Sequence, residues 1–352
     1  MSGDDTTDEN TSSGLIQVAT ELLGSLSKSL PAVVVKNAIK AVSRLSSAAV
    51  SVPEEWLKGI ATETRARSQA RVRLIRVSSN QLAEQMRTDP AYAHAAANKY
   101  AEKIIRERLN LDQITDVALT ALQASPESPA NAAPESEPIS DDWLNVFESE
   151  AANMSSESMQ KLFGRILAGE IRRPSSYSIK TIKLMAQLDN RAAILFRLFC
   201  SLSLSLRDPR TNEVLDARVV SLQGNAAQNS LKVYGLPFDS LNTLHEYALI
   251  IPDYNSYGHY EVAMARDMTT RLPLSYAGGK WGLVPKGGAN TTNGLKLHGV
   301  ALSRSGKEIL PIVDIEPNEG YTGALNTYFD SLGFILTPAS LIVKYSGVDQ
   351  TL

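Results

Sequence analysis

The side chains that could carry chemistry are few and poorly spaced for it. The chain has four histidines, His94, His245, His259 and His298. None has a histidine or cysteine partner at metal-ligand spacing, so the sequence presents no zinc site and no metal is expected. The single cysteine, Cys200, lies in an apolar helical stretch where a thiol is expected to be buried and inert. A phosphate loop requires G-x-x-x-x-G-K-[S/T]. Gly279-Lys280 is followed by Trp281 and has Leu274 at the first glycine position. Gly306-Lys307 is followed by Glu308 and has Ala301 there, so both fail. The Gly287-Gly288 turn lacks the strand-to-helix setting that cradles phosphate. There is no G-x-S-x-G elbow. No catalytic residue and no cofactor is implied.

Charged residues give two weaker candidates. Arg165, Arg172, Arg173, Lys180 and Lys183 gather around Pro174 against one acid, Glu170, and form the best anion-binding candidate. The plainer reading pairs Arg165 with Glu148 or Glu150 and leaves the others solvated. The second set is Arg65, Arg67, Arg71, Arg73 and Arg76. On a helix they flank a seam of Ala66, Ala70, Leu74 and Val77, the pattern of a helix that pairs with another helix. A phosphate-binding helix is the sharper alternative, but no aromatics interleave for base stacking.

The elements that would position these groups are mostly helical. Gly14 to Val50 carries two apolar stripes, Leu15, Val18, Leu22, Leu26 and Leu30, then Val34, Ala38, Val42, Leu45 and Ala49, separated by Pro31. Lys28, Lys36, Lys40 and Arg44 interrupt them, so a membrane span is not expected, although a helix lying on a membrane surface would fit. A long helix is expected from Pro53 to about Arg87, another from Pro90 towards Leu111, and a short one to Leu122. Pro126, Pro129, Pro134 and Pro138, with Glu127, Glu135 and Glu137, read as an extended linker.

From Ile139 to Leu206 four short helices are expected. Ser140 with Asp141 and Asp142 starts the first, Ser155 or Ser156 the second, Ser178 the third and Asp189 the fourth. Trp143 and Phe147 head the apolar stripe of the first, as core residues or as an interface anchor. Beyond Leu206 glycine, asparagine and tyrosine rise. Short strands are expected at Arg218–Leu222, Leu231–Tyr234, His259–Ala265, Lys280–Val284 and Leu295–Leu302. Helices are expected at Phe238, at Ser303 or Ser305, and before a final strand.

The 352 residues suggest two domains, and a 43% hydrophobic fraction is ordinary for a globular chain. A net charge of −3 supplies no global attraction to nucleic acid or membrane. The polar, acidic first residues lack the pattern of a signal peptide and are expected to be disordered. Together with the lone cysteine they suggest a cytoplasmic protein.

Two resemblances attach to these residues. Asp141, Asp142, Trp143, Leu144, Phe147, Ser156, Glu157, Gln160, Leu162, Arg165 to Ile171, Pro174, Ser175, Tyr177, Ser178, Leu188 and Asp189 resemble the signature of an uncharacterised bacterial domain-of-unknown-function family. The helix, Pro-Ser turn and leucine–aspartate step are also loosely similar to Abi-alpha, an abortive-infection family of phage defence. Neither resemblance supplies a catalytic residue. Separately, Leu241, Leu244, Leu249, Ile250, Leu302, Ser303, Gly306, Ile309 and Leu310 resemble a bacterial winged-helix module, though Leu241 to Tyr247 lacks a basic recognition helix.

The expectation is therefore a mainly α protein: a disordered tail (1–13), an N-terminal helical region with one long helix (14–123), a linker (124–138), a central four-helix domain (139–206) and a C-terminal α+β winged-helix-like module (207–352). The expected function is a non-enzymatic interaction or sensor protein in phage defence. It is expected to form a homo-oligomer and to bind another protein. A nucleic-acid-binding protein and a membrane-surface effector are the alternatives.

Overall fold

The computed structural model describes residues 30–46, 90–124, 138–208, 213–222, 229–266, 269–270, 273–286 and 294–346. The expected tail, the first amphipathic stripe as far as Leu26, the Pro53–Arg87 helix with Arg65, Arg67, Arg71, Arg73 and Arg76, and nearly all of the linker lie outside these residues. The chain divides into two compact units, Met1–Ile179 and Lys180–Leu352. The division falls inside the stretch expected to be one four-helix domain.

In the first unit, helix α1 (Ala32–Leu45) follows Pro31 and buries Val34, Val35, Ala38, Val42 and Leu45. The second stripe read from the sequence thus faces protein core. Helix α2 (Pro90–Ala124) runs for 35 residues without a break at Leu111. Helix α3 (Asp141–Ala151) carries Asp141 and Asp142 in its first turn, where the helix dipole favours acids. Helix α4 (Glu157–Arg172) is capped by Ser156, whose side chain accepts from the Met159 amide. It packs on α2 and α1. Gly164 makes the α2 approach possible, because a Cβ there would lie 2.6 Å from Val117 Cβ and 3.1 Å from the Ile114 carbonyl.

Two elements tie α1 to α3. Lys40 donates to the Ile139 carbonyl at 2.7 Å and pairs with Asp141 at 3.0 Å. Arg44 pairs with Glu148 at 3.3 Å. The buried Asn37 amide bridges two backbones, donating to the Ile171 carbonyl and accepting from the Ile139 amide.

Helix α5 (Ile179–Gln187) has its first residue in the first unit and the rest in the second, and α6 (Asn190–Leu202), capped by Asp189, follows. The chain then enters a sheet. Strands β1 (Leu204–Arg207), β2 (Val214–Val220), β3 (Tyr257–His259), β6 (Leu274–Tyr276), β7 (Gly279–Pro285), β8 (Lys296–Ala301) and β9 (Phe334–Pro338) form one seven-stranded sheet in the order β3-β8-β2-β1-β6-β7-β9. Every neighbouring pair is antiparallel. Strands β4 (Ala265–Arg266) and β5 (Thr269–Thr270) make a separate pair. Helices α7 (Phe238–Glu246), α8 (Arg304–Ile309), α9 (Glu319–Ser331) and α10 (Ala339–Ser346) complete the unit.

This corrects the expected fold class. The chain is α+β, with a sheet too large for a mainly α protein ending in a winged-helix-like module. The sheet was hidden because its strands are short and its centre is covered on both faces. Leu204, Ser205 and Leu206 of β1 are all buried, so they give no inside–outside alternation and read as the tail of α6. Leu231–Tyr234, expected as a strand, leads into a short 3-10 turn at Lys232–Tyr234. The residues that suggested a winged helix do meet. Ile250 bridges Leu302, Ser303 caps α8, and the Ser303 hydroxyl donates to the Ala248 carbonyl at 2.6 Å. They form a corner of the large sheet.

Candidate functional site

The most patterned stretch of the sequence is a scaffold. The Glu170 carboxylate is buried and accepts from the amides of Ser175 at 2.6 Å and Tyr177 at 3.1 Å, which closes the Pro-Ser-Ser-Tyr turn. Gly169 leaves room for the Tyr177 ring, since a Cβ there would stand 2.7 Å from it. The Trp143 indole donates to the Tyr177 carbonyl at 2.8 Å and stacks on Phe147 with ring centres 4.9 Å apart. Phe147 in turn meets Phe163. Trp143 and Phe147 are both buried. These motif residues fold the turn and the core around it.

The basic cluster around Pro174 falls on both sides of the unit boundary. In the first unit, Arg172 donates to the carbonyls of Ala121 at 2.7 Å and Leu122 at 3.2 Å. It satisfies the carbonyl end of α2, where a cation also complements the helix dipole. Arg165 and Arg173 are half-buried. In the second unit, Lys180 and Lys183 are exposed on α5. Arg172 therefore serves a helix end, leaving the expected anion cluster with fewer available cations.

Two other places stand out. The first is the amino-terminal half of α2. Residues 95–106 are exposed throughout. Within this arm Tyr100 is 67% exposed, Ile104 47%, Ile105 59% and, just beyond, Leu109 55%. At about 100° per residue, Ala97, Tyr100, Ala101 and Ile104 lie on the same side as Leu111, Thr115, Ala118 and Leu122. Those four are buried. The stripe that forms the core of the unit therefore continues uncovered from Ala97 to Ile104, about 10 Å. Lys99, Lys103 and Arg106 occupy the opposite side, as in an amphipathic helix. At the base of the arm Asp112 accepts from the Ser46 hydroxyl at 3.1 Å. One turn further on, burial and the neighbouring Asp112 push the Asp116 carboxyl up to about 6.

The second place is the edge of the sheet. The register pairs Tyr257 with His298 and His259 with Lys296. Alternation puts these four on one face, and all four are exposed. The Tyr257 ring lies 5.5 Å from the His259 ring and 5.4 Å from that of His298. Lys296 Nζ sits 4.7 Å from the centre of the tyrosine ring, and His259 is 3.6 Å from Glu261. Behind this face Arg218 grips Asp216 with two hydrogen bonds, of 2.7 and 2.9 Å, and donates to the Leu297 carbonyl. The fully buried Tyr260 hydroxyl donates to Asp216 at 2.7 Å. Burial opposes the charge on Asp216, but its bonds with Arg218 and Tyr260 hold the carboxyl below its usual range. Gly258 packs on this network, since a Cβ would lie 2.7 Å from both Arg218 and Asp216. In the sequence His259 and His298 stand alone. Only the strand register unites them.

Among the described residues no group of three or more histidines, cysteines, aspartates or glutamates is placed to hold a metal ion. Among the same residues no helix is long and apolar enough to cross a membrane. No curated protein and no solved structure matches the chain. A family described as a protein of unknown function (DUF2806) matches residues 95–326, about two thirds of the sequence and inclusive of the arm and the sheet edge. The chain belongs to that family, DUF2806.

Proposed function

We propose that this is a non-enzymatic interaction protein that assembles with a second copy of itself through the α2 arm. The observation that carries this reading is the uncovered apolar stripe of Ala97, Tyr100, Ala101 and Ile104, with Ile105 at its margin. A contiguous apolar face of this kind marks a contact surface in proteins that stay in solution. Symmetric dimers are the commonest way to cover one. The basic residues of the opposite side would remain in water. The biological setting we propose is bacterial phage defence, supported by the loose similarity of the helix, Pro-Ser turn and Leu188–Asp189 step to Abi-alpha.

The competing occupant is the chain's own residues 47–89, which leave beside the arm's base at Ser46 and return at Pro90. Covering the stripe that way would give a monomer. The test is co-purification of differently tagged copies from one expression host. The expected result is recovery of both tags from wild type and loss of the second tag in the Ile104→Glu, Ile105→Glu double variant. Recovery of one tag only from wild type would contradict self-assembly.

A further inference from the structure

We infer that the exposed face of β3 and β8 is a binding site for a phosphorylated nucleobase, with Tyr257, His259 and His298 as the stacking surface and Lys296 as the phosphate contact. The Tyr257 ring meets the His259 ring edge-on at 5.5 Å and the His298 ring at a 50° tilt and 5.4 Å, so the three rings are clustered and each presents its own face. The Lys296 ammonium lies over one face of the Tyr257 ring, 4.7 Å from its centre, so a base would stack on the other face or on an imidazole. Stacking platforms for unpaired bases combine these elements, since every base has a π-face and carries an anionic phosphate nearby.

The chemistry argues against other ligands. Lys296 would repel a metal cation held by the two imidazoles, and the tyrosine ring contacts both of them. A plain carboxylate ligand would use the cation and leave three rings unused. A duplex keeps its bases stacked inside and offers nothing to the rings.

The platform is also held rigidly. Strand β3 is only three residues long. Even so, the Ser256 hydroxyl donates to the Gly299 carbonyl, the Gly299 amide donates to the Ser256 carbonyl, and the Tyr260 amide donates to the Leu295 carbonyl. The Arg218–Asp216 pair lies directly beneath Gly258. A site whose backbone is fixed from behind loses little entropy when it binds.

The experiment is fluorescence anisotropy on the full chain with a short labelled single-stranded oligonucleotide, competed by the mononucleotide and by a duplex of the same sequence. Binding should weaken with salt, because phosphate contacts release counterions. Tyr257→Ala and Lys296→Ala should each weaken it about tenfold or more. Tyr257→Phe should retain it, since stacking needs the ring and not the hydroxyl. Melting curves for each variant separate loss of the site from loss of the fold. Competition by the mononucleotide at similar concentration identifies a free nucleotide as the ligand, and weak competition identifies a strand. Both outcomes support the site. Failure of oligonucleotide and mononucleotide alike to bind would overturn it, as would binding that Lys296→Ala and Tyr257→Ala leave unchanged in folded protein.

Discussion

Replacing Asp116 with asparagine should stabilise the protein at neutral pH and do nothing in mild acid. Asp116 lies one helical turn from Asp112, and burial together with that neighbour raises its carboxyl from an ordinary 3.8 to about 6. The sign follows from proton linkage. Between these two values the folded chain holds a proton that the unfolded chain has released, so stability falls as pH rises from about 4 to about 6. Above that window the carboxylate is charged in both states and the cost is constant. The full difference corresponds to about 3 kcal/mol at roughly 1.4 kcal/mol per pH unit. Asp116 is only partly buried, so water screens the charge and the expected cost is about 1–2 kcal/mol. Asparagine keeps the shape and removes the charge. Urea unfolding of wild type and Asp116→Asn, repeated from about pH 4 to about pH 8, reads the difference directly. The variant should gain about 1–2 kcal/mol at neutral pH and lose that advantage near pH 4. A difference that stays constant across this range would refute the reasoning.

Two further outcomes concern the core of the first unit. Trp143→Ala removes a buried ring, its stacking on Phe147 and its hydrogen bond to the Tyr177 carbonyl, and should cost about 3–5 kcal/mol in chemical denaturation. Gly164→Ala forces a methyl group against Val117 and the Ile114 carbonyl where α2 meets α4. It should cost about 1–3 kcal/mol although alanine is the better helix former, and an unchanged melting temperature would show that the two helices are not so close.

The sequence revealed most where local chemistry and long-range packing agree. Ser156 and Asp189 cap the helices they were expected to cap, because a short polar side chain before an apolar stripe has one good local use. It misled at Asn110-Leu111-Asp112, which looks like the end of one helix and the start of another. The helix runs through because those side chains are spent on distant partners. Asn110 donates to the Ala152 carbonyl and accepts from Gln160, and Asp112 accepts from Ser46. Strand β6 has three residues and β1 follows a helix after the single residue Ser203, so neither announces itself. The sheet edge was illegible for a further reason. Tyr257 and His298 are neighbours only through strand pairing, and register is a tertiary property. The arm was half legible. Its helical content could be read, but exposure depends on what the rest of the chain leaves uncovered.

Self-assembly through the arm is the central claim, and sedimentation equilibrium tests it most directly. One chain has a mass of 38.2 kDa. Wild-type protein at micromolar concentration should sediment at twice that mass. The Ile104→Glu, Ile105→Glu variant should sediment at the mass of one chain with an unchanged melting curve, because both residues are exposed in the isolated chain. A wild-type mass of one chain, or an assembly that survives both substitutions, would contradict the account.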